Sequence, residues 1–171
     1  MGPPNVSPEP YIHISLSEQR LRWIDEIGHV QFDVAVSTAA NGAGEVMNSF
    51  CTPRGWHLVR ARIGSNARVN TVFIGRRPSG EIYTSKLRAR EPQRDWILTR
   101  VLWLSGLEVG KNRLGNVDTM RRYIYIHGSP DDVTMGHVGS HGCVRMRNAE
   151  IIELFERTAI GTRVLISETV Y

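Results

Sequence analysis

The chain has 171 residues, 41% of them hydrophobic and 22% charged, with Lys+Arg 21 against Asp+Glu 17 and a formal net charge of +4. This length accommodates one domain with a sizeable core, and the composition excludes disordered, collagen-like and coiled-coil classes. Lysine occurs only at Lys86 and Lys111, so nearly all the cations are arginines, the planar binders of carboxylate and phosphate; their scatter points to an anionic partner without singling out nucleic acid or a membrane.

The first ten residues, rich in proline and lacking a basic start followed by an apolar run, read as a disordered leader, with one domain over 11–171. As written, the chain is expected in the cytoplasm, or in the periplasm if an export signal has been removed. Tyr11–Leu16 and Arg20–Ile24 read as the first strands. In the third, Val30, Phe32, Val34 and Val36 share one face, predicted to be core, while Gln31 and Asp33 point away. Ser37–Asn48, rich in Ala, Asn and Gly, predicts a long surface loop. Strands follow at Trp56–Ile63, Asn70–Ile74, Glu81–Thr84, Trp96–Leu104 and Arg122–Ile126. Ala149–Arg157 carries Ile151, Ile152, Leu154 and Phe155 at helical spacing, with Asn148 placed to cap its start and Gly161 past its end. Thr162–Ser167 closes the chain with a strand. No stretch approaches the roughly 18 apolar residues of a membrane helix, and no membrane insertion is expected.

Two cysteines, Cys51 and Cys143, are too few for a disulfide scaffold and lack the paired C-x-x-C spacing of a zinc ribbon. Cys143 stands in Gly139-Ser140-His141-Gly142-Cys143-Val144-Arg145, downstream of a hydrophobic run ending at His127. A thiol with its ordinary pKa of about 8.5 needs a histidine or a positive field to favour the thiolate, and two histidines and two arginines are near. Gly142 permits close backbone approach, so the N–H groups of His141, Gly142 and Cys143 are candidates to hold a tetrahedral oxyanion. Spacing leaves open whether His141 or His127 is the base. Cys51 is expected to pack or line the cleft, Arg121, Arg122 and Arg147 to be solvated, and His137 to sit in an exposed loop; His13, His29 and His57 show no partner spacing.

The order His127, spacer, Ser140-His141-Gly142-Cys143 resembles the L,D-transpeptidase family with the YkuD-type catalytic domain. Thr52-Pro53-Arg54-Gly55, Val144-Arg145-Met146-Arg147-Asn148 and Gly161-Thr162-Arg163-Val164 extend the likeness, which covers roughly residues 11–167. The resemblance implies a mainly β, sandwich or barrel-like domain with a helix after the nucleophile loop. It implies Cys143 as nucleophile, His127 as general base, the backbone from His141 to Cys143 as oxyanion hole and Ser140 as support. Its substrates would be peptidoglycan stem peptides, cleaved between the diamino acid at position three and a terminal D-alanine through a thioester. Resolution by water makes an L,D-carboxypeptidase, the outcome expected for a cytoplasmic chain; resolution by an amine makes a transpeptidase that crosslinks wall or attaches lipoprotein. Some members carry serine after the first histidine, where this chain has Gly128; a side-chain role there is excluded, and a backbone carbonyl could still orient the imidazole. Arg145 is the candidate to grip a substrate carboxylate.

Two other classes are weaker. His127, His141 and Cys143 offer three zinc ligands, but no fourth follows at familiar spacing, and neither metal nor cofactor is expected. Tyr123 and Tyr125 beside Arg121 and Arg122 suggest a nucleic-acid surface only if the tyrosines are not ordinary packing, and no nucleic-acid partner is expected. A serine D,D-peptidase is excluded, since neither lysine has serine three residues before it.

Overall fold

Alternating apolar positions and short polar breaks produce, among the described residues, ten strands and two helices. The computed structural model describes residues 8–171; most of the expected leader lies outside the described residues. The elements are β1 (Tyr11–Ser15), β2 (Arg20–Ile24), β3 (Val30–Ala35), β4 (Gly55–Ile63), β5 (Thr71–Ile74), β6 (Arg77–Ile82), α1 (Ser85–Arg90), β7 (Leu98–Gly106), β8 (Tyr125–Ser129), β9 (Val144–Arg147), α2 (Asn148–Arg157) and β10 (Arg163–Ser167). The sheet runs in the order β3-β2-β1-β10-β4-β7-β5-β6, and β8 pairs with β7 and carries β9 on its far side. It curls into a half-barrel, the mainly β, barrel-like class expected.

Two neighbouring pairs are parallel, β1 with β10 and β8 with β9. A parallel pair cannot be closed by a tight hairpin and needs a crossover of about a dozen residues or more. Residues 130–143 make that crossover between β8 and β9, and the Ser140–Cys143 segment is its final turn. Topology therefore delivers the cysteine to the head of β9, beside β8.

Ile12, Ile14, Leu21, Leu102, Leu104, Ile126, Val144, Met146, Val164 and Ile166 form a single core, and α2 closes it with Ile151, Leu154 and Phe155. That i, i+3, i+4 stripe is what docks the helix, each fully buried Leu, Ile or Phe contributing roughly 1.5–3 kcal/mol. A second cluster, Phe73, Val101 and Tyr125 with Trp103 and Cys143 partly buried against it, marks the site.

Several expectations need correction. Val30 is 40% exposed, and the core face of β3 begins at Phe32, because β3 is an edge strand whose register shifts opposite Trp23 and Ile24. Ser37, Thr38 and Ala39, predicted to begin a surface loop, are buried: Ser37 bridges to Arg145 and Ala39 to Ser140, small residues letting the two backbones meet. β6 begins at Arg77 rather than Glu81, and Thr84 caps α1, accepting from Leu87 N at 3.0 Å. The strand read as Arg122–Ile126 runs instead from Tyr125 to Ser129, with His127 at its middle. Asn148 is the first helical residue and not a side-chain cap; its amide is buried among Thr99, Asn70 and Asp131.

Candidate active site

His127 is fully buried on β8, and its Nδ1 lies 2.6 Å from the carbonyl oxygen of Gly128. Because a carbonyl only accepts, Nδ1 carries the proton and Nε2 the lone pair. Among the described residues Nε2 has no hydrogen-bond partner. A backbone carbonyl thus orients the imidazole where a serine side chain is absent. A Cβ at Gly128 would lie 2.6 Å from both the Leu98 carbonyl oxygen and Asn148 Oδ1, so the close packing of β7 and α2 behind the histidine requires glycine.

In the β8–β9 register Ile126 stands opposite Val144 and His127 opposite Arg145, which continues to Tyr125 opposite Cys143. Period two then puts His127, Tyr125, Cys143 and Arg145 on one face, with His127 and Cys143 as diagonal neighbours across the pair. Tyr125 N–H donates to Cys143 Sγ at 3.3 Å, and the thiol faces the Tyr123 carbonyl at 3.4 Å.

The turn before the cysteine is held by two buried hydroxyls. Buried Ser140 donates through Oγ to the Cys143 carbonyl at 2.5 Å and accepts from Gly142 N–H at 3.2 Å. Buried Thr52 donates to the Gly142 carbonyl at 2.9 Å and accepts from Ala39 N–H at 3.0 Å. Gly142 itself adopts φ +130°, and a Cβ there would meet Ile124 Cδ1 at 3.1 Å and the Cys51 carbonyl oxygen at 3.2 Å. Gly142 N–H is therefore engaged, while among the described residues the N–H groups of His141 and Cys143 have no partner.

Electrostatics do not favour a resting thiolate. Burial pushes the Cys143 thiol up to about 12, against weaker help from the Tyr125 N–H, Arg145 and Arg122. Burial also holds His127 below the ordinary imidazole range, opposed by Asp95 and the Gly128 carbonyl. Desolvation thus opposes the help expected from the arginines and histidines, raising the thiol and lowering the imidazole.

Cys143 opens into a cleft of about 510 Å³ lined by Arg76, Asp95, Arg122, Tyr123, Tyr125 and His141. A second depression of about 260 Å³, lined by Met47, Phe50, Arg121 and Tyr123, adjoins it across His141. His141 is exposed, edge-on to Phe50 with ring centroids 6.1 Å apart. Arg145 is engaged by Asp95 at 2.9 Å and the Gly139 carbonyl at 3.1 Å, and lines a separate hollow of about 110 Å³. Arg122, expected to be solvated, is half-buried and pins the Gly44–Cys51 loop through the Gly44 and Cys51 carbonyls at 3.1 and 2.6 Å and Ser49 Oγ at 3.2 Å. Cys51 is half-buried in that loop, its thiol 3.5 Å from the Asn41 and Ser49 carbonyls. Among the described residues no group of three His, Cys, Asp or Glu is arranged to hold a metal, and no helix is long and apolar enough to cross a membrane.

Thr52, quoted only within the family likeness, and Arg122, expected to be solvated, are site-forming residues whose roles the sequence did not show. The Thr52-Pro53-x-Gly55 segment was a signal for the first; Arg122 had none, its partners lying more than 70 residues away in the chain.

A cysteine thus stands at the head of a strand, on the same face of a curled sheet as a carbonyl-anchored histidine. Residues 9–166 match the model of the YkuD family, the L,D-transpeptidase catalytic domain, and the chain belongs to that family. YqjB of Bacillus subtilis (strain 168) and YbiS of Escherichia coli (strain K12), both assigned to the L,D-transpeptidases by name, are 44% and 49% identical to it over 43 residues. That stretch is 25% of this chain and 24% and 14% of theirs. The fold is shared with an L,D-transpeptidase from Xylanimonas cellulosilytica at 24% identity and TM-score 0.52, covering 96% of this chain and 63% of that one. Bd1075 of Bdellovibrio bacteriovorus aligns at 16% identity and TM-score 0.59, over 95% of this chain and 49% of its own. The chain spans under two thirds of each of these relatives.

Proposed function

We propose that Cys143 is an acyl-transfer nucleophile acting on peptidoglycan stem peptides, and that the chain is an L,D-carboxypeptidase trimming tetrapeptide to tripeptide. The observation that carries the reading is His127 Nε2, a buried lone pair without a partner, on the same sheet face as the Cys143 thiol. The thiol proton passes to Nε2 as sulfur attacks the carbonyl of the diamino acid, so neither charge has to exist in the buried resting state. The His141 and Cys143 N–H groups receive the oxyanion. Collapse expels D-alanine, whose amine takes the proton from His127, and leaves a thioester on Cys143. Water then attacks with His127 again as base, and the thiol is restored.

A second reading, transfer to the amine of another stem, is favoured by the adjoining depression across His141, which has room for an acceptor. Incubating the protein with a tetrapeptide stem, with and without an amine acceptor, and resolving products by mass separates them. Tripeptide and free D-alanine are the expected products, and Cys143→Ala is expected to abolish them while remaining folded. A dominant crosslinked dimer would replace water by amine; turnover by Cys143→Ala would remove Cys143 as nucleophile.

A further inference from the structure

The arginines lining and flanking the cleft differ in what their guanidinium groups already hold. Arg145 is engaged by Asp95 and Gly139, and Arg122 by three acceptors of the Gly44–Cys51 loop. Arg76 makes a single hydrogen bond, from Nη1 to the Tyr125 hydroxyl at 3.1 Å, and among the described residues no carboxylate lies within ion-pairing distance of it. Its guanidinium packs over the Trp103 and Tyr123 rings, 4.5 and 4.8 Å from their centroids. Such stacking holds the planar fork in place while leaving its edge available to a bidentate anion. The same Tyr125 whose hydroxyl holds Arg76 presents its N–H to Cys143 Sγ, so one residue spans the nucleophile and the cation.

The backbone adds an independent reason. Gly75 and Arg76 join β5 to β6 with φ +55° and +66°. A two-residue turn with both φ positive favours Gly and Asn, and an arginine in the second position accepts strain that glycine would relieve. Strain of this kind persists only where the surrounding structure holds it, and it clusters at ligand-binding sites. The turn projects Arg76 into the cleft beside Cys143.

We infer that Arg76 is the substrate-gripping residue of this cleft, binding a free carboxylate of the peptide that acylates Cys143. The inference rests on the peptidase reading above and deepens it: the substrate must carry a carboxylate near the scissile bond. A stem peptide has one on the terminal D-alanine, one on D-glutamate and, where the diamino acid bears one, a third on its side chain. All three present the same chemistry to the guanidinium.

The test compares tetrapeptides in which each carboxylate in turn is amidated, using the wild-type protein, Arg76→Gly and Arg76→Lys. Arg76→Gly relaxes the turn, so folding is expected to be kept or improved, as a thermal melt reads. Its kcat/KM on the free acid should fall about ten- to a hundredfold, through KM, as loss of a charge-assisted bidentate contact implies. Amidating the carboxylate that Arg76 binds should erase the difference between wild type and variant, and amidating the others should not. Arg76→Lys should fall between. Equal losses on every peptide, or no loss, would overturn the assignment. Calorimetric binding of the same peptides to Cys143→Ala reads the contact without turnover: the free acid should bind more tightly than its amide only when Arg76 is present, and absence of that difference also overturns it. Release of D-alanine with an Arg76-independent preference would remove Arg76 and leave the peptidase reading; Arg76-dependent binding without release would do the reverse.

Discussion

Position 128 shows how one missing side chain organises the histidine beside it. The Gly128 carbonyl sets the tautomer of His127, and the absence of a Cβ lets β7 and Asn148 close behind it. Serine in the same place would meet a backbone oxygen at 2.6 Å, which cannot rotate away. Gly128→Ser is therefore expected to destabilise by about 1–3 kcal/mol, the usual range for overpacking, and to lower D-alanine release; urea unfolding followed beside the activity assay checks both. Unchanged stability would mean that β8 shifts without strain. Cys143, His127, Ser140 and Gly142 stood out in the sequence because motif residues declare themselves by type and order. Arg122 and Arg76 did not, since an arginine reads the same whether it is solvated, pinned to a loop or stacked over two rings.

At the scale of elements, the register between β7 and β8 shifts between Leu98 and Val101, and Thr99, a β-branched residue at φ +74°, sits in that shift. Its Oγ1 accepts from Asn70 N–H at 3.0 Å and donates to Asn148 Oδ1 at 2.6 Å, while Asn148 Nδ2 donates to Asn70 Oδ1 at 2.9 Å. The start of α2 is thus tied to the bulge and to the β5 entry, directly behind Gly128. Asn148→Ala would leave the buried Thr99 hydroxyl without an acceptor, and a loss of about 1–3 kcal/mol is expected by urea unfolding. A loss within error would show that water replaces the amide. Period-two patterning located most strands, but β9 and α1 were missed. Val144–Arg147 is only four residues long and becomes a strand by pairing with β8, and Ser85–Arg90 has no buried residue and so no apolar stripe.

Across the whole molecule the histidines set the response to acid. Burial holds His13 and His127 below the ordinary imidazole range and pushes His57 down to about 4, its ring closed between the Gly55 carbonyl and Thr119 Oγ1. The unfolded chain takes up these protons near pH 6.5 and the folded chain only lower, so stability is full above about 6.5 and is lost as pH falls toward 4. His57 alone is expected to remove roughly 3 kcal/mol by pH 4. Urea midpoints at pH 7, 5.5 and 4 check this, and His57→Gln should flatten the profile; an unchanged wild-type midpoint would contradict it. Charge follows the same division between composition and placement. The arginine excess first suggested a scattered field, yet much of it is absorbed by ion pairs such as Arg22 with Glu18 and Arg94 with Glu81, and by rings. Sequence alone determined the nucleophile motif, the β-rich class and the docking stripe of α2, because each depends on residue type at short, regular spacing. Only the tertiary structure decided that burial works against the thiolate, that Thr52 and Ser140 hold its turn, and which arginine keeps an open fork, because burial and hydrogen-bond partners are properties of chain segments that meet only when the sheet closes.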